Sequence, residues 1–188
     1  MTTPVPVPEG SSLQAYVHRG AFADCYATPL SGTVTLPELV EAFYTTRLFK
    51  VERWLLAKAL GLQATDEQAR QLACGSRDRF SAWRVEHRSP TEILLDAGQT
   101  RSWLSVQTQP HAPPAQPHAS AHAPAPAPPL AQASTTLLFG SAVVPLRPGG
   151  QFGWAFHALL GFHQLYSRLL LASAARRVVA LRKIRTAR

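Results

Sequence analysis

Past Asp96 the sequence contains no acidic residue. Its 11 acids all lie between Glu9 and Asp96, among 10 of the 19 lysines and arginines, and the other 9 cations stand alone in residues 97–188. The net charge of +8 is therefore an excess of the second half. Six of those cations crowd into Arg176, Arg177, Arg182, Lys183, Arg185 and Arg188. Charge placed this way makes a tail rather than a broad field. Nucleic acid is not expected as a partner, because nothing elsewhere extends a basic face.

Cysteine is nearly missing too. Cys25 and Cys74 sit in no CxxC or other ligand spacing, and read as two small buried thiols rather than a bridge. Phosphate-binding glycine motifs are absent. The nearest approach, Gly149-Gly150-Gln151-Phe152-Gly153, has Pro148 in place of the first glycine, no strand after it and no acid beyond. No cofactor is expected. Nor is a metal: His157 and His163 are six apart on one helix and point about 120° away from each other. His111, His118 and His122 fall in a segment that reads as disordered, which argues against a specific site. The start, MTTPVPVPEG, lacks the basic flank and apolar run of a signal peptide, so a cytoplasmic, reduced protein is expected.

What is present is organised around the stretch Phe152–Arg177. At 100° per residue, Phe152, Phe156, Leu159, Leu160, Phe162, Tyr166, Leu169 and Leu170 share one broad face, opposite a stripe of His157, Gly161, Gln164 and Arg168. A helix of some 26 residues must lay such a face on something large, and a sheet is the natural surface. Upstream, a strand is expected over Phe22–Leu30. Two capping boxes follow, Thr35/Glu38 and Thr65/Gln68, each opening a helix. Between them a helix from Leu48 to Leu60 turns Leu48, Val51, Leu55 and Ala59 inward and ends at Gly61. The period then changes to two, giving strands at Phe80–Arg88, Glu92–Asp96 and Arg101–Thr108 as an antiparallel meander. Pairing His87 with Glu92 and Asp96 with Arg101 gathers Trp83, Val85, Leu94, Trp103 and Ser105 on one face. A last strand, Ser134–Leu146, carries Gly140 as an expected bulge.

Residues 1–20 read as a loose lead-in, with Pro4, Pro6 and Pro8 against regular structure. A single α+β domain covers 21–177. It is interrupted at 109–133 by a loop of 8 Pro and 9 Ala without charge, read as disordered. The basic tail 178–188 interleaves Val178, Val179, Leu181 and Ile184 with cations. It suits a weak contact with a membrane surface or an acidic partner through Arg176–Arg188.

The order strand, helix, helix, short helix, four strands, long helix indicates an α+β fold with an antiparallel sheet. The segments FADCYATPL, AFYTTRLFKVERWLL, RFSAWRVE, TRSWLSVQ, TTLLFGSAVVP and FHALLGFHQLYSRLLL resemble a bacterial branch of the START-like and polyketide-cyclase superfamily. The resemblance implies the helix-grip fold, a curved antiparallel sheet of five or more strands packed on the long C-terminal helix. It also implies a pocket for a small hydrophobic or aromatic ligand, and leaves open a cyclase- or hydrolase-like enzyme using the same cavity.

The residues to line such a pocket are His163, Tyr166, Trp83, Trp103, Arg101 and Tyr26. His163 falls on the apolar face of the helix, with Tyr166 and Ser167 one turn on. It is either a core histidine bonded to a strand or tyrosine, or a polar group aimed into a cavity. Trp83, Trp103, Trp54 and Tyr26 are either core aromatics or pocket walls. Arg101 is either a cross-strand charge or, beside Trp103, the cation for a ligand carboxylate. No nucleophile or carboxylate is tied to His163 by the sequence, so no catalytic residue is assigned.

Overall fold

The computed structural model describes residues 1–109, 133–144 and 154–186, with the backbone alone for residues 60 and 154–160. The expected loop, residues 110–132 of it, and the glycine-rich turn 149–153 lie outside the described residues, as do the side chains of Phe152, Phe156, His157, Leu159 and Leu160.

Among the described residues, seven strands form one open antiparallel sheet: β1 (Thr3–Pro4), β2 (Phe22–Ser31), β3 (Arg79–Phe80), β4 (Trp83–Arg88), β5 (Glu92–Ala97), β6 (Thr100–Gln109) and β7 (Ser134–Val143). Their order across the sheet is β1-β2-β7-β6-β5-β4-β3. The last strand in sequence thus lies between β2 and β6 and joins the start of the chain to the meander. Among the described residues, five helices accompany the sheet: α1 (Gln14–His18), α2 (Leu36–Tyr44), α3 (Arg47–Leu60), α4 (Asp66–Ala73) and α5 (Trp154–Thr186). This is the α+β architecture, antiparallel sheet with a long C-terminal helix, that the order of elements indicates.

Local chemistry places the helices. Both capping boxes form: Thr35 Oγ1 accepts from the Glu38 amide while Glu38 answers to the Thr35 amide, and Thr65 and Gln68 do the same for α4. Thr46 caps α3 through the Phe49 amide at 3.1 Å, and Gly61 ends it at φ +68°, a conformation that favours glycine. The α2 face of Leu39, Val40 and Phe43 shares the main core with Leu170, Leu171, Ala174 and Val178 of α5.

The phase of two helices differs from the expectation. On α3 it is Phe49, Glu52, Arg53 and Leu56 that turn inward, whereas Val51, Leu55 and Ala59 are exposed. Arg53 sets this rotation, because its guanidinium bonds Asp66 at 2.8 Å and the carbonyls of Tyr44 and Ala64. On α5 the buried stripe is Ser167, Leu170, Leu171, Ala174 and Val178, while Phe162 and Leu169 face solvent. Arg168, expected opposite the apolar face, lies over the Tyr26 ring on β2.

The ends of the chain are more ordered than their composition suggests. The lead-in contributes β1 and α1 and buries Leu13 and Tyr16 on the sheet's other face, with Cys25, Ala27, Leu94, Trp103 and Leu138. The basic stretch is not a separate tail, since α5 runs on to Thr186 and docks on α2. Arg182 forks onto Glu38 with two bonds of 2.8 Å, and Arg185 meets Glu41 at 2.6 Å. Of the thiols, Cys25 is buried but Cys74 is exposed.

Two register details matter for the site. Asp96 pairs with Arg101 as expected, but β4 pairs Val85 with Leu95 and His87 with Leu94, with a bulge between them. That bulge resets the alternation, so Trp83 and Val85 share the core of Ile93 and Leu95 while Leu94 and Trp103 face the other way. Gly140, by contrast, is no bulge and pairs regularly with Cys25 and Trp103. A Cβ there would stand 2.5 Å from Leu13 Cδ2, 3.1 Å from the Asp24 carbonyl and 3.3 Å from Trp103 Cε3, so close approach is what requires glycine.

Candidate functional site

Between the α-helical layer and the sheet lies a cavity of about 170 Å³. Helices α2 and α3 give it Phe43, Phe49 and Glu52, the sheet Trp83, Ser102, Phe139 and Ser141, and α5 His163, Tyr166, Ser167 and Leu170. Three larger hollows, of about 440, 530 and 600 Å³, are open grooves on the surface. We place the site in the smaller space because it is the more enclosed and aromatic side chains wall it.

Its polar groups come from two networks. The first is centred on Ser141. The strand alternation that sends Phe139 inward also sends Ser141 inward, and pairing with β2 sets it opposite Asp24. Ser141 Oγ donates to Asp24 Oδ1 at 2.7 Å and lies 2.8 Å from His163 Nε2. Tyr26 donates to Asp24 Oδ2 at 3.1 Å, and the same oxygen is 3.7 Å from His163 Nε2. Burial pushes the Asp24 carboxyl up, but the neighbouring His163 imidazole and the hydrogen bonds from Ser141 and Tyr26 outweigh it and hold the group below its ordinary range. Because an ionised Asp24 only accepts, the Ser141 proton belongs to it. The serine oxygen is then left to accept from His163 Nε2–H. In the neutral ring, this assignment leaves Nδ1 as the basic nitrogen.

The arrangement is not a nucleophile triad. In such a triad the carboxylate sits on Nδ1 and the serine on Nε2. Here both meet at Nε2, and the carboxylate binds the serine proton directly. Ser141 is a bridge between Asp24 and His163.

The second network joins α3 to α5. The Tyr166 hydroxyl donates to Glu52 Oε2. Burial drives the Glu52 carboxyl above its ordinary range, and neither that bond nor His163 nearby reverses the shift. Burial also pushes the Tyr166 phenol up, and with Asp24 beside it raises Tyr26 to about 12. Two fully buried hydroxyls, Ser167 Oγ and Tyr44 Oη, have no hydrogen-bond partner among the described residues. Of the two, Ser167 lines the cavity.

The residues picked out from sequence divide accordingly. His163, Tyr166 and Trp83 line the cavity together, with Trp83 Nε1 donating to Ser102 at 3.3 Å. Tyr26 stands behind, reaching the site through Asp24. Trp103 lies on the opposite face of the sheet, its indole N–H on Glu92 at 2.7 Å. Arg101 borders the cavity as β6 passes, but its guanidinium is engaged on that other face by Glu86 and Asp96 at 2.8 and 2.7 Å and by the Tyr16 hydroxyl. Trp54 is 58% exposed. Asp24, Ser141 and Glu52 are the site residues that sequence reasoning misses, whereas Ser167, named beside His163 and Tyr166, lines the cavity with them. Only Asp24 leaves a signal, as a charge on the inward face of β2 between Phe22 and Tyr26.

Among the described residues, no cluster of His, Cys, Asp and Glu is composed to hold a metal ion, and no helix is long and apolar enough to cross a membrane. No curated protein matches the chain, and no solved structure matches it. One family model does, over residues 17–164, which takes in the whole sheet from β2 to β7, helices α2 to α4 and the start of α5. The chain belongs to the family described as protein of unknown function DUF2867.

Proposed function

We propose that the protein binds a small apolar or aromatic molecule carrying one hydrogen-bonding group, in the cavity between β7 and helices α3 and α5. A START-like helix-grip protein would use the same space. The observation that carries the reading is Ser167, whose hydroxyl is buried without a partner among the described residues, in a cavity to which Phe43, Phe49, Trp83 and Phe139 give an aromatic wall. Leaving such a group unsatisfied costs about 1–3 kcal/mol, which a guest with a polar atom recovers. The volume suits a single-ring compound, since an apolar cavity of roughly 150 Å³ takes up benzene. Glu52, Tyr166 and His163 supply further donors and acceptors at the wall. Native mass spectrometry of the purified protein tests this. A retained compound of single-ring size is expected, and a guest the size of a diacyl lipid would contradict it.

One observation favours a second reading. Glu52 at the cavity wall is held towards its protonated form, and Asp24, behind the lining residue Ser141, towards its ionised form, an arrangement that separates an acid from a base. In that reading Glu52 hydrogen-bonds the guest and His163, oriented through Ser141, accepts a proton from it. Turnover lost in His163→Ala, with fold and guest retained, would be its mark.

A further inference from the structure

The outward faces of α3 and α5 are apolar. Val51, Trp54 and Leu55 are 57, 58 and 54% exposed, and Phe162, Leu165 and Leu169 are 70, 56 and 48% exposed. Spacings of three and four set Trp54 and Leu55 beside Val51 on one side of α3, and spacings of three, four and seven put Phe162, Leu165 and Leu169 on one side of α5. The Tyr166–Glu52 hydrogen bond ties the helices together at this level, so the two stripes flank one seam on the outside of the cavity wall. Isolated exposed apolar side chains are ordinary, whereas six large ones on neighbouring helices mark a docking surface.

Charge selects the occupant. Arg47 and Lys58 flank the stripe on α3, and Arg176 and Lys183 continue the stripe on α5. Among the described residues, none of the four has a carboxylate partner. Glu52 is the one acid in the sequence of either helix, and it turns inward to Tyr166. A second copy docked by two-fold symmetry would bring these cations against one another. An anionic bilayer matches both features, taking the apolar side chains at the headgroup boundary, where tryptophan is favoured, and the cations at its surface.

We propose that the α3–α5 ridge docks the protein on an anionic membrane surface. The contact is peripheral and reversible. It uses the ridge, whereas Arg182 and Arg185 at the end of α5 are already occupied by Glu38 and Glu41. It does not depend on what the cavity binds.

The test is flotation of the full chain with phosphatidylcholine vesicles, with and without phosphatidylserine. Binding is expected only with phosphatidylserine and should weaken as salt is raised. The double variant Trp54→Ser/Leu165→Ser should lose it, with an unchanged circular-dichroism melt because both side chains are exposed. A second variant, Arg47→Glu/Lys58→Glu, should weaken binding by at least about twentyfold, at roughly fivefold per cation removed from an anionic surface. Absence of binding to phosphatidylserine vesicles would overturn the proposal. So would binding that survives both variants, or a concentration-dependent dimer that the serine variant abolishes while vesicles bind nothing.

Discussion

Replacing Glu38 with glutamine separates two jobs that one side chain performs. Glu38 closes the capping box of α2 through the Thr35 amide at 2.9 Å, and its carboxylate receives the Arg182 fork that holds the end of α5. Glutamine serves a capping box as well as glutamate does, so Glu38→Gln chiefly removes the ion pair. Hydrogen bonding from Arg182, helped by Thr35 and opposed by burial, lowers this carboxyl from 4.5 to about 2. At about 1.4 kcal/mol for each tenfold change in acidity, this caps the coupling at about 3.5 kcal/mol. The side chains of Arg182 and Glu38 remain 31% and 20% exposed, and solvent screening brings the expected loss to about 1–2 kcal/mol. The folded-state value is depressed, so the stabilisation is complete above the ordinary glutamate range and disappears as pH falls through about 2. Urea unfolding followed by circular dichroism should therefore show a gap of that size between wild type and variant near neutrality, closing as pH falls towards about 2. A gap that is absent, or that stays constant in acid, would refute the reasoning.

Two other substitutions probe the site's surroundings. Gly140→Ala would push a methyl group against Leu13 and the Asp24 backbone, costing about 1–3 kcal/mol by overpacking; unfolding midpoints equal to wild type would show that the close approach is not there. Ser141→Ala removes the bridge between Asp24 and His163 and should cost about 1–3 kcal/mol, since Asp24 loses a buried donor. Nitrogen NMR of the His163 ring should also lose its preference for the Nε2–H tautomer, and an unchanged spectrum would dismiss the bridge.

Features set by neighbours in sequence are legible without a structure. The caps at Thr35 and Thr65 and the stop at Gly61 depend on residues a few positions apart, and the structure has them, whereas the strand expected over Phe80–Arg88 is broken by a turn at Ser81 and Ala82 into β3 and β4, which pair with each other. Helix phase is less legible, because a broad apolar arc fits several rotations. On α3 the choice is made by Arg53 reaching Asp66 and two carbonyls, and it leaves Val51 and Leu55 outside. The bulge between Val85 and His87 breaks the period-two pattern without any mark in composition, and it sends Trp83 and Trp103 to opposite faces. Gly140 illustrates the same limit from the other side. A strand glycine means a bulge or a close approach, and only Leu13, 127 positions earlier, decides between them. The polar centre of the site was the least accessible part, because Asp24 and Ser141 are 117 residues apart and meet only through the β2–β7 pairing.

The central claim is that the cavity between β7 and α5 takes up a single-ring molecule. Its most direct test is a fluorine NMR titration of 4-fluorophenol against the full chain and against Ser167→Leu, which fills the cavity from a fully buried position. The account predicts saturable broadening of the fluorine signal with wild type and none with Ser167→Leu, whose circular-dichroism spectrum should match wild type. Absence of saturable broadening with wild type, or equal broadening with the filled variant, would contradict it.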